Sequence, residues 1–299
     1  MAGDDKGFCC GFVAIVGAPN VGKSTLLNRL LDFKVAITTS RPQTTRTRIL
    51  GVWNERAAQI VFVDTPGIHA PASKLQRVMV QTAIGVLREV EVVLWLVDAA
   101  RTRPAEEKIV LEHLAGVTKP LILALNKIDL VKPPLLLPLI DRLAACRELA
   151  AVLPISALKG QGLDALTSEL IALLPPGGPL FPAYQITDQP ERVLAAEFVR
   201  EKAMRLTGQE VPYGVAVEVT EFTERKKRNL VYVRAVINVE RESHKAIIIG
   251  AKGAKLKQIG QAARQDIERL LGIKVYLDLF VRVEKNWTRK EELIRRMGY

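Results

Sequence analysis

Aromatic residues make up only 5% of this 299-residue chain, and cysteine occurs just three times, at Cys9, Cys10 and Cys146. So few cysteines exclude a disulfide-stapled secreted scaffold, and adjacent Cys9 and Cys10 are poor partners for each other, so a reducing compartment is expected. The scarcity of rings argues against nucleic-acid recognition built on broad stacking platforms. Apolar runs such as Val92 to Val97 and Leu135 to Ile140 are far too short to span a bilayer, and no basic-then-apolar leader opens the chain. The expected location is therefore cytoplasmic, with any membrane contact peripheral. Positive charge, by contrast, is plentiful. The net charge is +11 and the pI near 9.7, a field suited to a polyanionic partner. After residue 180 there are 23 basic and 16 acidic residues, against 20 and 16 before it, so the basic excess concentrates in the smaller part.

A chain of this length is expected to form about two domains. Residues 175–190 hold five prolines and two glycines, which bars a helix or central strand and reads as a semi-rigid linker. Before it, strand-like runs at Gly11 to Val16, Ile49 to Trp53, Gln59 to Val63, Val92 to Val97, Pro120 to Leu125 and Val152 to Ile155 alternate with helical patterns. That alternation predicts an α/β fold with a mostly parallel sheet. Ligands of such sheets bind at the carboxyl ends of the strands.

The chemistry-bearing motifs fall at those ends. Gly17-Ala18-Pro19-Asn20-Val21-Gly22-Lys23-Ser24 fits G-x-x-x-x-G-K-[ST] between an apolar strand and a helical pattern from Ser24 to Leu31. Its glycines let successive N–H groups form an anion-binding nest at a helix N-terminus. In that motif Lys23 reaches the β- and γ-phosphates, the Ser24 hydroxyl coordinates Mg²⁺, and Thr25 follows within the loop's contact set. After Ile60 to Val63 comes Asp64-Thr65-Pro66-Gly67. Asp64 is positioned to reach the Mg²⁺ shell and the Gly67 N–H a γ-phosphate, although the same four residues also make an ordinary turn. After Leu121 to Leu125 comes Asn126-Lys127-Ile128-Asp129, where the Asp129 carboxylate can accept from guanine N1–H and the exocyclic amine and leaves adenine unpaired. A surface turn is the alternative. Ser156-Ala157-Leu158 follows the last strand; its position points to the base site, its composition only to a helix cap.

Beyond the linker the order reads α-β-β-α-α-β: a helix at Glu191 to Leu206, strands at Gly214 to Phe222 and Leu230 to Val239, a helix through about Leu271 and a last strand at Val275 to Val283. Between the middle helices lies Gly250-Ala251-Lys252-Gly253, preceded by Ile247-Ile248-Ile249 and followed by Lys255 and Lys257. A Gly-x-x-Gly loop in such a cationic setting can press its backbone against a sugar-phosphate chain, as KH domains do. The basic turn Glu224 to Asn229 reads as solvated, with RNA contact the alternative, and Trp287 as a core cap rather than a base-stacking ring.

Taken together, the phosphate loop, the run Ser40-Arg41-Pro42-Gln43-Thr44-Thr45-Arg46-Thr47-Arg48 and Asp64-Thr65-Pro66-Gly67-Ile68-His69 resemble those of the bacterial Era family of GTPases, over nearly the whole chain. The resemblance implies a P-loop GTPase domain over residues 1–174, the linker at 175–190, and an α+β type II KH domain with the C-terminal segment over 191–299. It implies GTP/GDP and Mg²⁺ as cofactors, with the residues from about Phe33 to Arg48 as switch I and Thr45 as the second hydroxyl ligand, Thr44 in reserve. Lys23, Thr45 and Gly67 are the implied catalytic set. Ile68 stands where many signalling GTPases carry a water-orienting glutamine, so slow unaided turnover and a stimulating partner are expected. Asn20 has two readings, a loop stabiliser or an aid in holding K⁺ beside the phosphates. The implied partners are 16S ribosomal RNA and the 30S subunit, bound by a monomer through Gly250, Ala251, Lys252, Gly253, Lys255 and Lys257 with Ile248 and Ile249 lining a groove, the alternative for these two isoleucines being the core, and with an anionic membrane surface as a peripheral site. The alternative is a GTP-dependent RNA-modification or cell-cycle signalling protein; no methyl-transfer or one-carbon cofactor motif supports modification. An RNA-binding module with a vestigial nucleotide site conflicts with intact Lys23, Ser24, Asp64 and Asp129.

Overall fold

The computed structural model describes residues 7–208, 211–225 and 229–299. They divide into two compact units. The helices in chain order are α1 (Lys23–Leu31), α2 (Lys74–Val86), α3 (Pro104–Leu114), α4 (Leu136–Ala144), α5 (Leu163–Leu173), α6 (Glu191–Leu206), α7 (Glu242–Ile249), α8 (Ala254–Leu271) and α9 (Glu291–Arg296). None of them is long and apolar enough to cross a membrane.

The first unit takes the chain up to Val35, Thr45–Pro71 and Met79–Asp188. Its sheet comprises β1 (Cys9–Val16), β2 (Ile49–Glu55), β3 (Ala58–Asp64), β4 (Val92–Asp98), β5 (Leu121–Asn126) and β6 (Ala151–Pro154), in the order β2-β3-β1-β4-β5-β6. Only β2 runs antiparallel, against β3; the other pairings are parallel. Every residue of β3 and β5 is buried, which is why both read as near-continuous apolar runs rather than alternating ones. Each strand expected from the sequence is present, with ends shifted by a residue or two. With β3 on one side of β1 and β4 on the other, the strand order reverses at β1, and such a reversal opens a ligand crevice at the carboxyl edge.

Most of the proline-rich stretch, expected as a semi-rigid linker, is held against the first unit. The first unit extends through Asp188 because this segment is strapped along β2 and β3. The Gln59 side chain is fully buried, accepts from the N–H groups of Leu180 and Phe181 at 2.7 and 2.9 Å, and donates to the Phe181 carbonyl at 2.8 Å. The Val52 N–H donates to the Ile186 carbonyl, and the Thr187 hydroxyl to that of Leu50. Proline removes donors without removing acceptors, so side chains and a neighbouring strand can hold the chain where no ladder forms.

The second unit comprises Ala36–Thr44, Ala72–Val78 and Gln189–Tyr299. Its sheet is β7 (Ala216–Arg225), β8 (Leu230–Val239) and β9 (Lys274–Val283), with β7 antiparallel and β9 parallel to β8 and a bulge between Val219 and Glu221. One face of β8, Val231, Val233, Ala235, Ile237 and Val239, joins Phe198 and Val199 of α6 and Ile259, Ala263 and Ile267 of α8 in the core. The α-β-β-α-α-β order expected from the sequence is present. Gly272 ends α8 at φ +66°, its N–H bonded to the Glu268 carbonyl, a left-handed cap that glycine adopts without strain. Trp287 is fully buried and donates its indole N–H to the Gly214 carbonyl at 2.9 Å, so it caps the core. Residues 226–228 of the basic turn lie outside the described residues.

Segment 36–44, part of the stretch from about Phe33 to Arg48 that the resemblance assigns to switch I, packs with this second core. Ile37 is buried in it, the Thr38 N–H donates to Glu201 Oε1 at 3.0 Å, and Arg200 donates to the Thr44 carbonyl at 2.6 Å. Arg200 and Glu201 are both fully buried, and the Glu197 carboxylate keeps the Arg200 guanidinium charged despite its burial.

Candidate functional site

The loop leaving β1 turns on two glycines in conformations closed to other residues. Gly17 has φ +151°, and a Cβ there would stand 2.3 Å from the Leu96 carbonyl oxygen; Gly22 has φ +108°, and its Cβ would meet the Asn126 amide at 2.3 Å. Gly22 then caps α1, so the first N–H groups of that helix face the loop. Lys23 is buried and its ammonium donates to the carbonyls of Gly17 and Ala18 at 3.2 and 3.0 Å. Burial pushes its pKa down to about 8, opposed by the charge of Asp64. A buried cation held by neutral carbonyls is well prepared for an anion.

Beside it, three oxygen-bearing side chains from three different elements converge. Ser24 Oγ donates to Asp64 Oδ2 at 2.6 Å, and Thr45 Oγ1 lies 2.8 Å from Ser24 Oγ and 3.4 Å from the same carboxylate oxygen. Asp64 is fully buried and its Oδ1 has no protein partner. Burial raises the carboxyl to about 6, against the pull of Lys23 and the hydroxyls. Two hydroxyls and a carboxylate whose Oδ1 is buried and unsatisfied form a hard donor set, which fits Mg²⁺. Thr44, the reserve choice for the second hydroxyl, turns away, its Oγ1 2.7 Å from Thr39 Oγ1 and bonded to the Arg41 carbonyl.

Past β3, the Thr65 hydroxyl donates to the Ile15 carbonyl and the Ile68 N–H to that of Gly17, which ties Asp64-Thr65-Pro66-Gly67 to the phosphate loop. The approach is so close that a Cβ on Gly67 would stand 2.9 Å from Pro19 atoms. Ile68 is fully buried, so its side chain is structural at this position. His69 went unremarked as a site residue; its Nδ1 lies 2.9 Å from the Gly67 carbonyl and its Nε2 is buried without a partner, a pairing that no sequence spacing announces.

Asn126, at the end of β5, joins three loops. Its amide donates to the Val21 carbonyl at 2.8 Å and its carbonyl accepts from the Ala157 N–H at 2.9 Å. Lys127 takes a left-handed turn at φ +69° and reaches back to the Asn20 carbonyl at 2.9 Å and to Asp98 at 2.5 Å. That turn exposes Asp129, whose Oδ1 accepts from the buried Ser156 hydroxyl at 2.6 Å. Ser156 also accepts from the Lys159 N–H, while Leu158 projects outward. Asp98 was not among the candidates; only the fold brings it to Lys127.

In the second unit, Gly250-Ala251-Lys252-Gly253 forms a single 3-10 turn between α7 and α8. Gly250 and Gly253 have φ +71° and +79°, and a Cβ on Gly250 would meet that of Lys255 at 2.7 Å. Ala251, Lys252 and Lys257 are exposed, and Lys255 is half-buried. Of the two isoleucines assigned to a groove, Ile249 is half-buried but Ile248 is fully buried in the core, out of reach of a ligand; Ile247 is the exposed member of the triplet. Consecutive isoleucines leave the buried face of a short helix undetermined, hence the correction.

A phosphate loop, a hydroxyl-carboxylate set suited to Mg²⁺ and a guanine-type loop on one mostly parallel sheet, followed by a Gly-x-x-Gly domain, define a P-loop GTPase joined to a KH domain. Comparison with known proteins agrees: the 50S ribosome-binding GTPase family matches residues 12–127 and the KH domain family residues 210–288. GTPase Era of Geobacter metallireducens is 49% identical over 298 residues, 99% of each chain, and that of Carboxydothermus hydrogenoformans 47% identical over 97% of each. An Era solved with MgGDPNP and nucleotides 1506–1542 of 16S ribosomal RNA superposes with a TM-score of 0.94 at 47% identity, covering 98% of this chain and 99% of that one. A variant of Aquifex aeolicus Era bound to GDP·AlF4⁻ matches equally well. The chain belongs to the GTPase Era family.

Proposed function

We propose that this GTPase couples its nucleotide state to the binding of 16S ribosomal RNA during assembly of the 30S subunit. The observation that carries the reading is the convergence of Ser24, Thr45 and Asp64 beside buried Lys23, in a chain that also presents the Gly250 to Gly253 loop. The relative of the same architecture solved with MgGDPNP and a 16S fragment supports it.

Lys23 and the N–H groups from Gly17 to Thr25 bind the phosphates, and Asp129, oriented by Ser156, selects guanine. Ser24, Thr45 and Asp64 would hold Mg²⁺, which when bound offsets charge on the phosphate oxygens. Gly67, drawn against Pro19, would offer its N–H to the γ-phosphate, so that loss of that phosphate weakens the hold on the segment after β3. With Ile68 buried, no side chain at that position orients water, and turnover without a partner is slow. The Gly250 to Gly253 loop, with Lys252, Lys255 and Lys257, contacts the RNA backbone. The protein acts as a cytoplasmic monomer, with a peripheral membrane contact as a further expectation, and Asn20 would either stabilise the loop or help hold K⁺ beside the phosphates.

Single-turnover GTP hydrolysis should accelerate when small ribosomal subunits are added, and RNA affinity at fixed salt should fall in G253D with GTP affinity unchanged. Hydrolysis as fast without subunits as with them, or unaltered RNA affinity in G253D, would overturn the respective half of the proposal.

A further inference from the structure

The helices cover one face of the β7-β8-β9 sheet, and the other face gathers several of the chain's few aromatic rings. On β8 and β9 that open face carries Tyr232, Arg234, Tyr276, Asp278 and Phe280, the alternation dictated by the two-residue period of a strand. Tyr232 and Tyr276 stack with centroids 5.7 Å apart and planes 14° from parallel. The Arg225 guanidinium lies 4.8 Å from the Tyr232 ring centre, and that of Arg234 lies 5.6 Å from Tyr232 and 5.7 Å from Phe280. The outer members of this ladder are open to solvent: Tyr276 is 59% and Phe280 49% exposed. Single exposed rings are common, but Tyr276 and Phe280 share one sheet face with the Tyr232 ring, and a contiguous patch of this kind marks a contact surface.

The charges around the rings say what. Asp278 accepts from the Tyr232 hydroxyl at 3.0 Å and pairs with Arg234, which also faces Glu221 at 3.8 Å. The two acids nearest the rings are thus engaged. Arg225, Lys274 and Arg282 have no carboxylate partner among the described residues, and Glu218 at the β7 edge is the acid left to oppose them. Beside Phe280 lies an open depression of about 590 Å³ whose walls include Arg234, Arg282 and Lys245 against the single acid Glu242. Exposed rings flanked by unpaired cations suit a ligand with flat π-faces and a negatively charged backbone.

We infer that this open face is a second RNA-contact surface, distinct from the Gly-x-x-Gly loop, on which bases of a single-stranded segment stack against Tyr276 and Phe280 while Arg225, Lys274, Arg282 and Lys245 meet the phosphates. The composition argued against broad stacking platforms; the fold concentrates a few rings into a narrow one. The inference rests on the RNA-binding reading above only for the class of partner.

The test is photocrosslinking of the full-length protein to a random-sequence single-stranded RNA of about 16 nucleotides containing 4-thiouridine, with crosslinked peptides mapped by mass spectrometry. Crosslinks are expected on Tyr276 or Phe280 in both the unsubstituted chain and G253D. Y276A/F280A should lose them and weaken binding by about tenfold or more. Y276F/F280Y, which keeps both rings, should bind normally, and R225E/R282E should flatten the salt dependence. Neither ring belongs to the nucleotide site, so GTP turnover should be unchanged, and loss of the Tyr232–Tyr276 stack and the Arg234–Phe280 contact should lower the melting temperature by only a few degrees, with circular dichroism at the assay temperature as the control for folding. Crosslinks confined to the Gly250 to Gly253 region, with Y276A/F280A binding within about twofold of the unsubstituted chain, would overturn this surface alone and leave it to a protein partner. Crosslinks nowhere would overturn the RNA-binding reading with it.

Discussion

Replacing Asp129, the carboxylate proposed to select guanine, should exchange one nucleotide specificity for another. Asp129 is exposed on the turn after Lys127, and one of its oxygens is held by Ser156 at 2.6 Å. Each carboxylate oxygen retains further acceptor capacity, so the pair can take both the N1–H and the 2-amino group of guanine. Hydrogen bonds to a charged group contribute about 1.5 to 3 kcal/mol each, so two of them amount to roughly 3 to 6 kcal/mol, or about 10² to 10⁴ in affinity. Because the unliganded carboxylate is well hydrated, D129A should sit near the lower figure, about a hundredfold weaker for GTP. D129N discriminates further. Its amide oxygen can still accept from Ser156 and from N1–H, but its NH₂ would oppose the guanine amine donor to donor; xanthine offers a carbonyl there instead. Competition of GTP and xanthosine triphosphate against a fluorescent guanine nucleotide, at fixed Mg²⁺, should therefore show the preference reversed in D129N. If that variant, natively folded by circular dichroism, keeps GTP within about threefold and gains nothing for xanthine, Asp129 is not the base contact.

Other perturbations separate structural from chemical roles. In G17A the new methyl must displace the Leu96 backbone, and urea unfolding should register a loss of about 3 kcal/mol or more, whereas in G22A the obstacle is the movable Asn126 side chain and GTP affinity should suffer more than stability. The Asp64 carboxyl, raised from 3.8 to about 6 chiefly by burial, holds its proton more tightly folded than unfolded, so its contribution to stability is present below pH 4 and declines as pH rises through about 6. D64N removes that loss, and Lys23, lowered to about 8, can shed its own charge. Nucleotide-free D64N should accordingly melt no lower than the unsubstituted protein at pH 7.5 while losing Mg²⁺-dependent GTP binding; a clearly lower melting temperature contradicts the burial account. Hydrolysis rates that are equal in K⁺ and Na⁺ would dismiss the cation role assigned to Asn20.

The strands and the strand-end motifs were legible because a buried parallel strand needs a continuous apolar run and its carboxyl end needs a turn, and Gly17, Asp64, Asn126 and Asp129 sit at those joints. What escaped notice was long-range and made by side chains. Nothing near Leu180 indicates that Gln59, 121 residues earlier, satisfies its N–H. Segment 36–44 has no periodicity to betray that Ile37 enters the second core. The isoleucine triplet failed for another reason: three equal side chains on a short helix cannot declare which one points inward, and Ile248 does. The open sheet face was hidden because Tyr232, Tyr276 and Phe280 are scattered in the sequence and meet only through strand register.

Asn126 binds the phosphate loop through Val21 and the base loop through Ala157 with one planar amide. The two jaws of the nucleotide site therefore form a caliper with a fixed gap rather than independent grips. On the proposed site, a ligand that misfits at the base end should be levered out of line at the phosphate end, so that a wrong base lowers the hydrolysis rate as well as the affinity. The same rigidity makes Asn126 a place where substitution should blur both readings together, even though its amide is directed at protein backbone at both ends.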